Sequence, residues 1–332
     1  MMRRVLLLWY MENDNFGDTL ISETVRDILN KNDFMVEDIE VGENPQIIIE
    51  RANKCDFMLF AGGGIIERYL PPILARFSQY VDEILIPYGV IGISVGNFDY
   101  DYKSISLGKW VDKSIFFYSR DSRSMKILNR YSETNKVLCS GDCVFASNRI
   151  CINEAGKKIG INIRDLPYED INGRLEWDQI KKIRESINAH KLIMDSSNEI
   201  CNLLLSNEDE QNYEEFKIKG KIEKADHIIQ DISECRIIVA MRYHVVLVAA
   251  LMGIPTIAIK YCPKVESLVE QLGIQDIAIK IGEYGNIRPK FNEVMLNYSE
   301  YQGIIRENVG KLRRCVLEMF EVVIEQMENS IG

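Results

Sequence analysis

The stretch RIIVAMRYHVVLVAALMGIPTIAI, positions 236–259, decides the fold class. Residues 236–240 are a short apolar run rich in β-branched side chains, and 244–252 are a longer apolar run that stops at Gly253. Glycine commonly closes a helix and proline cannot continue one, so Gly253 and Pro255 part that helix from a second strand-like run at 256–259. The order is strand, helix, strand. A helix this apolar has to be covered, which fits a crossover helix in a parallel α/β unit.

Working outward, the same alternation repeats in both directions. In the first half, strands are predicted at 5–9, 35–41, 57–60, 90–94, 116–119 and 137–139, with helices at 19–29, 72–84 and 122–131. The pattern restarts near Lys157, with strands at 158–163, 191–194, 236–240, 256–259 and 276–279 and helices at 178–187 and 244–252. Residues 148–156 are polar and without period, so they read as a linker. Residues 303–327 read as one closing helix, apolar at Ile305, Val309, Leu312, Val316, Met319 and Val323. The expected architecture is α/β, with two Rossmann-like domains at 1–150 and 151–302 and a C-terminal helix, 303–332, packing back on the first domain.

Composition narrows the classes of function. A chain of 332 residues can bury a core in each of two domains, and 46% hydrophobic with 27% charged residues excludes general disorder. No apolar run approaches the ~20 residues that cross a bilayer, and the run after Met1-Met2-Arg3-Arg4 is too short for a signal-peptide core. A cytoplasmic protein is expected. Eight dispersed cysteines read as free thiols, several of them in apolar strand-like runs where Cys behaves as a small buried hydrophobe, and Cys139 and Cys143 lack the spacing of a zinc site, so no metal is expected. A net charge of −10 argues against a nucleic-acid partner, which would need a basic face. Any anion site must therefore be local.

In parallel sheets ligands bind beyond the carboxyl ends of strands, and several polar clusters stand there. After the first strand, Asn13-Asp14-Asn15-Phe16-Gly17-Asp18 fits a glycine turn with Asp18 as helix N-cap, and it also places Asn15, Gly17 and Asp18 where a substrate would be met. Ala61-Gly62-Gly63-Gly64 precedes a predicted helix, so its N–H groups could approach a phosphate or carboxylate. In Ser119-Arg120-Asp121 the aspartate suits an N-cap, while Arg120 is either solvated or a ligand; Gly141-Asp142 reads first as a turn. Arg164 follows the strand at 158–163 and could fork onto a carboxylate, and Ser196, in Asp195-Ser196-Ser197-Asn198, suits either a turn or hydroxyl recognition. The strongest pair is Arg242 and His244, polar residues at the mouth of a buried unit. Cations at a helix N-terminus imply that an anion is there too. Pro263 fits the first turn of a helix at 264–271, where Lys264 would point toward the same cleft, although the stretch by itself is an ordinary strand-loop-helix junction.

From these residues the chain resembles the polysaccharide pyruvyl transferase family. Arg242, His244, Ala249, Ala250, Gly253, Pro255, Tyr261 and Lys264 match its closing motif, and Asn15-Phe16-Gly17-Asp18, Gly62-Gly63-Gly64, Ser119-Arg120-Asp121 and Gly141-Asp142 resemble its earlier landmarks in order. Tyr243 stands where the family often has Leu, and Cys143 where it often has Pro. The resemblance implies a GT-B-like fold, phosphoenolpyruvate bound in the cleft between the domains, and transfer of its pyruvyl group to a sugar as a ketal across two hydroxyls. It carries donor binding to Arg164, Arg242 and His244.

Such chemistry needs an acid that is protonated near neutrality, which suits histidine, so His244 is the expected acid or a phosphate clamp, with Asp18 or Asp142 as base toward the acceptor. No cofactor is expected beyond phosphoenolpyruvate as co-substrate. The acceptor would be a sugar of a surface polysaccharide or its precursor, lipid- or nucleotide-linked. Two other readings fit the pattern: a GT-B glycosyltransferase using a nucleotide sugar, and a non-catalytic homologue that binds an anion or sugar.

Overall fold

The computed structural model describes residues 3–11, 15–66, 81–96, 104–152, 156–163, 200–205 and 225–331. The chain divides into two compact units, Met1–Ser147 with Leu312–Gly332, and Asn148–Lys311. In the first, β1 (Arg3–Trp9), β2 (Phe34–Glu40), β3 (Phe57–Ile66), β4 (Tyr88–Val95), β5 (Phe117–Ser119) and β6 (Leu138–Cys139) form a parallel sheet in the order β2-β1-β3-β4-β5-β6. In the second, β7 (Lys158–Asn162), β8 (Ile200–Asn202), β9 (Cys235–Ala240), β10 (Thr256–Lys260) and β11 (Ile279–Lys280) form another, in the order β11-β10-β9-β7-β8.

The two sheets are wound alike. Each chain segment lays its second strand on one side of its first and the remaining strands on the other, so the winding reverses between β1 and β3 and again between β7 and β9. At such a reversal the two connections leave in opposite directions and open a crevice past the strand ends.

Helices α1 (Phe16–Lys31), α2 (Pro45–Ala52), α3 (Ser104–Lys113) and α4 (Ser122–Asn129) belong to the first unit. The second holds α5 (Ala225–Ser233), α6 (Tyr243–Leu251), α7 (Pro263–Leu272) and α8 (Ile287–Leu296). The long α9 (Tyr298–Ile331) supplies residues to both. In the second unit Gln302 Nε2 donates to the Gly253 carbonyl (3.0 Å) and Asn308 Nδ2 to that of Leu272 (3.1 Å); in the first, Arg313 donates to the Ser147 carbonyl (3.0 Å).

Central strands are apolar throughout because both of their faces are covered. Val5, Leu6, Leu7 and Leu8 of β1 and Ile237, Ile238, Val239 and Ala240 of β9 are all buried. Over one face of the first sheet Trp110 sits edge-on to Phe60 (5.2 Å between centroids) and to Phe117 (5.0 Å). Truncating Trp110 to Ala would cost about 3–5 kcal/mol. In the second unit every residue of α6 except His244 is buried, which is why that helix shows no polar face.

The α/β class, the two parallel sheets and the long closing helix agree with the sequence reading. Particular elements differ. The predicted strand at 276–279 is mostly a 3-10 turn, Gln275–Ile277, ahead of the short β11. The end of the helix predicted at 72–84 is a 3-10 turn at Val81–Glu83, and the rest of it lies outside the described residues, as do the strand at 191–194 and the helix at 178–187. Gly62, Gly63 and Gly64 are part of β3 rather than a loop; the strand runs on to Ile66 with a shift of register against β4, and the start of the helix expected after it lies outside the described residues.

Candidate functional site

In the second unit, the reversal between β7 and β9 is where Arg242 and His244 stand. β9 ends at Ala240, Met241 N donates to the Asn162 carbonyl (3.0 Å), and Arg242 becomes the N-cap of α6 with extended backbone (φ −68°, ψ 129°). The Arg242 carbonyl accepts from Val245 N (3.1 Å) and Val246 N (3.2 Å), which starts the helix. Arg242 and His244 are half-buried while Tyr243 between them is buried, its ring edge-on to the imidazole at 5.0 Å. The positive end of the helix macrodipole and two basic side chains thus occupy one strand end, an arrangement that favours a bound anion.

The neighbouring strand adds to the same edge. β10 pairs with β9 in register Ala258↔Ala240, and beyond Lys260 the chain turns at Tyr261 and Cys262 into α7, with Pro263 in its first turn as expected. Tyr261 and Lys264 are half-buried there. Arg164 and Ser196 lie outside the described residues.

Asn162, the last residue of β7, was given no role by sequence reasoning. It is fully buried; its Oδ1 accepts from Arg242 N (2.9 Å) and its Nδ2 donates to the Leu203 carbonyl just past β8 (2.9 Å). The available signal is one carboxamide in an otherwise apolar strand, Lys158–Asn162.

In the first unit the expected polar residues also gather at the carboxyl edge, but most serve the fold. Asn15, not Asp18, is the N-cap of α1: its Oδ1 accepts from Gly17 N (3.2 Å), and its Nδ2 donates to the Asp18 carboxylate. Asp18 stands in the first turn and is half-buried. Gly62 has φ +68°, and a Cβ there would lie 2.4 Å from Ile21 Cγ2, so the glycine lets α1 pack on β3. Gly63 also has positive φ, +86°, and Gly64 is half-buried.

Arg120 is neither solvated nor open to a ligand. It is 2% exposed and donates to Ser94 Oγ (2.6 Å) and Asp142 Oδ2 (3.2 Å), joining the ends of β4, β5 and the segment after β6. Asp142 is fully buried and also caps the turn Cys143–Ala146 through Val144 N (3.0 Å). A carboxylate so enclosed cannot reach an acceptor hydroxyl, and Asp142 is a structural anchor here rather than a base. Asp121 does cap α4, through Ser124 N at 2.7 Å, as expected. Burial pushes the Cys139 thiol up to about 11 and the Cys143 thiol well above its ordinary value, so neither is a nucleophile near neutrality. Tyr88 is core, its hydroxyl donating to the Trp110 carbonyl at 2.7 Å.

Among the described residues no three His, Cys, Asp or Glu side chains are grouped to hold a metal, and no helix is long and apolar enough to cross a membrane.

Several solved structures are similar to this chain in fold. UDP-GlcNAc 2-epimerase from Neisseria meningitidis, bound to UDP-GlcNAc, has a TM-score of 0.54 at 12% identity, covering 98% of this chain and 100% of that one. A UDP-N-acetylglucosamine 2-epimerase from Listeria monocytogenes, described as putative, has a TM-score of 0.56 at 9% identity, covering 92% and 91%. An alpha-glucosyltransferase in complex with UDP and DNA has a TM-score of 0.50 at 9% identity, covering 98% and 99%. At such identities the likeness shows a GT-B-like fold and no more. No curated protein matches the sequence. The description polysaccharide pyruvyl transferase, however, matches as a family over residues 15–263, a span that runs from the cap of α1 through the Arg242–His244 element to the start of α7. With most of its length so matched, the chain belongs to the polysaccharide pyruvyl transferase family.

Proposed function

We propose that this protein transfers the pyruvyl group of phosphoenolpyruvate to two hydroxyls of one sugar, in a surface polysaccharide or its precursor. The observation that carries this reading is the placement of Arg242 and His244 at the N-terminus of α6, where the winding of the second sheet reverses. Phosphoenolpyruvate presents a carboxylate and a phosphate, and a guanidinium can fork onto either.

The reaction needs few parts from the protein. A proton adds to the methylene carbon, turning it into a methyl group, and positive charge develops at the adjacent carbon. One sugar hydroxyl attacks that carbon and gives up its proton. The bond from carbon to the phosphate oxygen then breaks, inorganic phosphate leaves, and a second hydroxyl attacks to close the ketal. Of the two hydroxyl protons, one balances the proton placed on carbon and one leaves with phosphate. His244 is the side chain at the site whose ordinary pKa suits the first protonation.

The test is to incubate the protein with phosphoenolpyruvate and candidate glycans. Phosphate release, with an acceptor heavier by one pyruvic acid less one water, is the expected result. Release of a nucleoside diphosphate from a sugar nucleotide instead would overturn the reading.

A further inference from the structure

We infer that Asn162 is a positioning residue for the anion site, acting through the backbone of Arg242; the inference rests on the donor reading above. Position 162 is fully buried at the end of a strand, where a carboxamide is costly unless each of its groups is bonded. Its bonds run to both neighbouring strand ends, one of them at the sheet's reversal. Its Nδ2 donates to Leu203 on the β8 side and its Oδ1 accepts from Arg242 N on the β9 side, each at 2.9 Å, while its own carbonyl accepts from Met241 N at 3.0 Å. One side chain therefore ties together three strand ends.

The start of α6 explains why this matters for function. Helices usually begin on Ser, Thr, Asp or Asn, whose side chains bond the first turn and fix the entry angle. Here the N-cap is Arg242, which makes no such side-chain bond, and the residue that could have capped the helix has been given over to a guanidinium. Asn162 fixes the same point from the adjacent strand. It holds the root of Arg242 so that a long, rotamer-rich side chain starts from a set position, which lowers the ordering cost when an anion binds. An apolar residue would fill position 162 without needing partners, and it would leave Arg242 N to find another acceptor.

The experiment compares Asn162→Ala with Val294→Ala, a cavity-forming change at a fully buried position of α8 in the same unit, which gives a stability loss unrelated to the site. Calorimetric titration with phosphoenolpyruvate is expected to show about tenfold weaker binding in Asn162→Ala and unchanged affinity in Val294→Ala. Equal affinity in wild type and Asn162→Ala overturns the inference and leaves the donor reading standing, whereas a wild-type protein that binds no phosphoenolpyruvate overturns the donor reading itself. Amide exchange at Arg242, measured without donor, gives a second arm: protection is lost in Asn162→Ala and kept in Asn162→Asp, which retains the acceptor and serves if the alanine variant does not fold. Unchanged protection in Asn162→Ala, or loss of it in Asn162→Asp, overturns the inference whatever the donor.

Discussion

Arg120 and Asp142 meet at 3.2 Å with side chains 2% and 0% exposed, each just past the end of a neighbouring strand of the first sheet. Taking one partner away leaves a buried charge without its counterpart, which typically costs about 3–5 kcal/mol, while replacing both with apolar residues costs less than the sum. Arg120→Met and Asp142→Leu are each expected to lower the urea midpoint strongly, and the double variant to recover part of the loss. The donor KM of the folded fraction should not change. A raised KM with an unchanged midpoint would return Arg120 to the substrate.

Gly62→Ala tests whether the glycines of β3 serve packing or a ligand. The backbone at Gly62 is left-handed, which costs a residue with a Cβ about 1–2 kcal/mol, and the new methyl would meet Ile21 at 2.4 Å, adding an overpacking cost of about 1–3 kcal/mol. The expected outcome is a loss of roughly 2–5 kcal/mol by equilibrium denaturation, eased when Ile21→Ala makes room. Unchanged stability with weaker donor binding would favour the ligand role.

These two sites show what could and could not be read from the chain. The apolar runs of β1 and β9 and the featureless α6 were legible because strands covered on both faces, and helices covered on all sides, have little choice of composition. The glycines of β3 were not, since a phosphate-binding loop and an irregular strand use the same residue for the same conformational freedom. Asn15 and Asp18 were confused because both are good caps and they bond each other across the first turn of α1. Asn162 escaped because its partners, Leu203 and Arg242, are 41 and 80 residues away in sequence. Local pattern carries the elements, and the hydrogen bonds that organise the strand ends are long-range.

Asp112 should make part of the first unit's stability depend on acid pH. Burial alone would raise its carboxyl, but bonds from the hydroxyls of Ser132 (2.5 Å) and Thr134 (2.6 Å) and from the N–H groups of Glu133 and Thr134 outweigh it and hold the pKa below the ordinary value. A depressed folded-state pKa means that the unfolded chain takes up the proton first. The stabilisation is therefore complete above the unfolded value, about 3.9, and is lost as pH falls through the lower folded value. Asp112→Asn should cost about 1–2 kcal/mol at pH 7 and flatten the acid limb of a stability-against-pH curve. An acid limb identical to wild type would show that those four bonds do not favour the ionised form.

His244 offers the most direct reading of the chemistry, because its two candidate roles separate in the kinetics. Glutamine keeps a donor of similar reach but cannot carry a titrating proton, so His244→Gln removes acid catalysis and spares much of the hydrogen bonding. If the imidazole delivers the proton to the methylene carbon, kcat should fall by about 10²–10⁴ while the calorimetric Kd for phosphoenolpyruvate moves by less than about threefold. If it instead holds the phosphate, the Kd should rise and kcat at saturation should change little. Arg242→Lys supplies the reference for a pure binding loss, since it keeps the charge and gives up the planar fork, and it should weaken donor binding about tenfold. A His244→Gln protein with full turnover and wild-type affinity would remove His244 from the reaction altogether, and with it the side chain on which the carbon protonation depends.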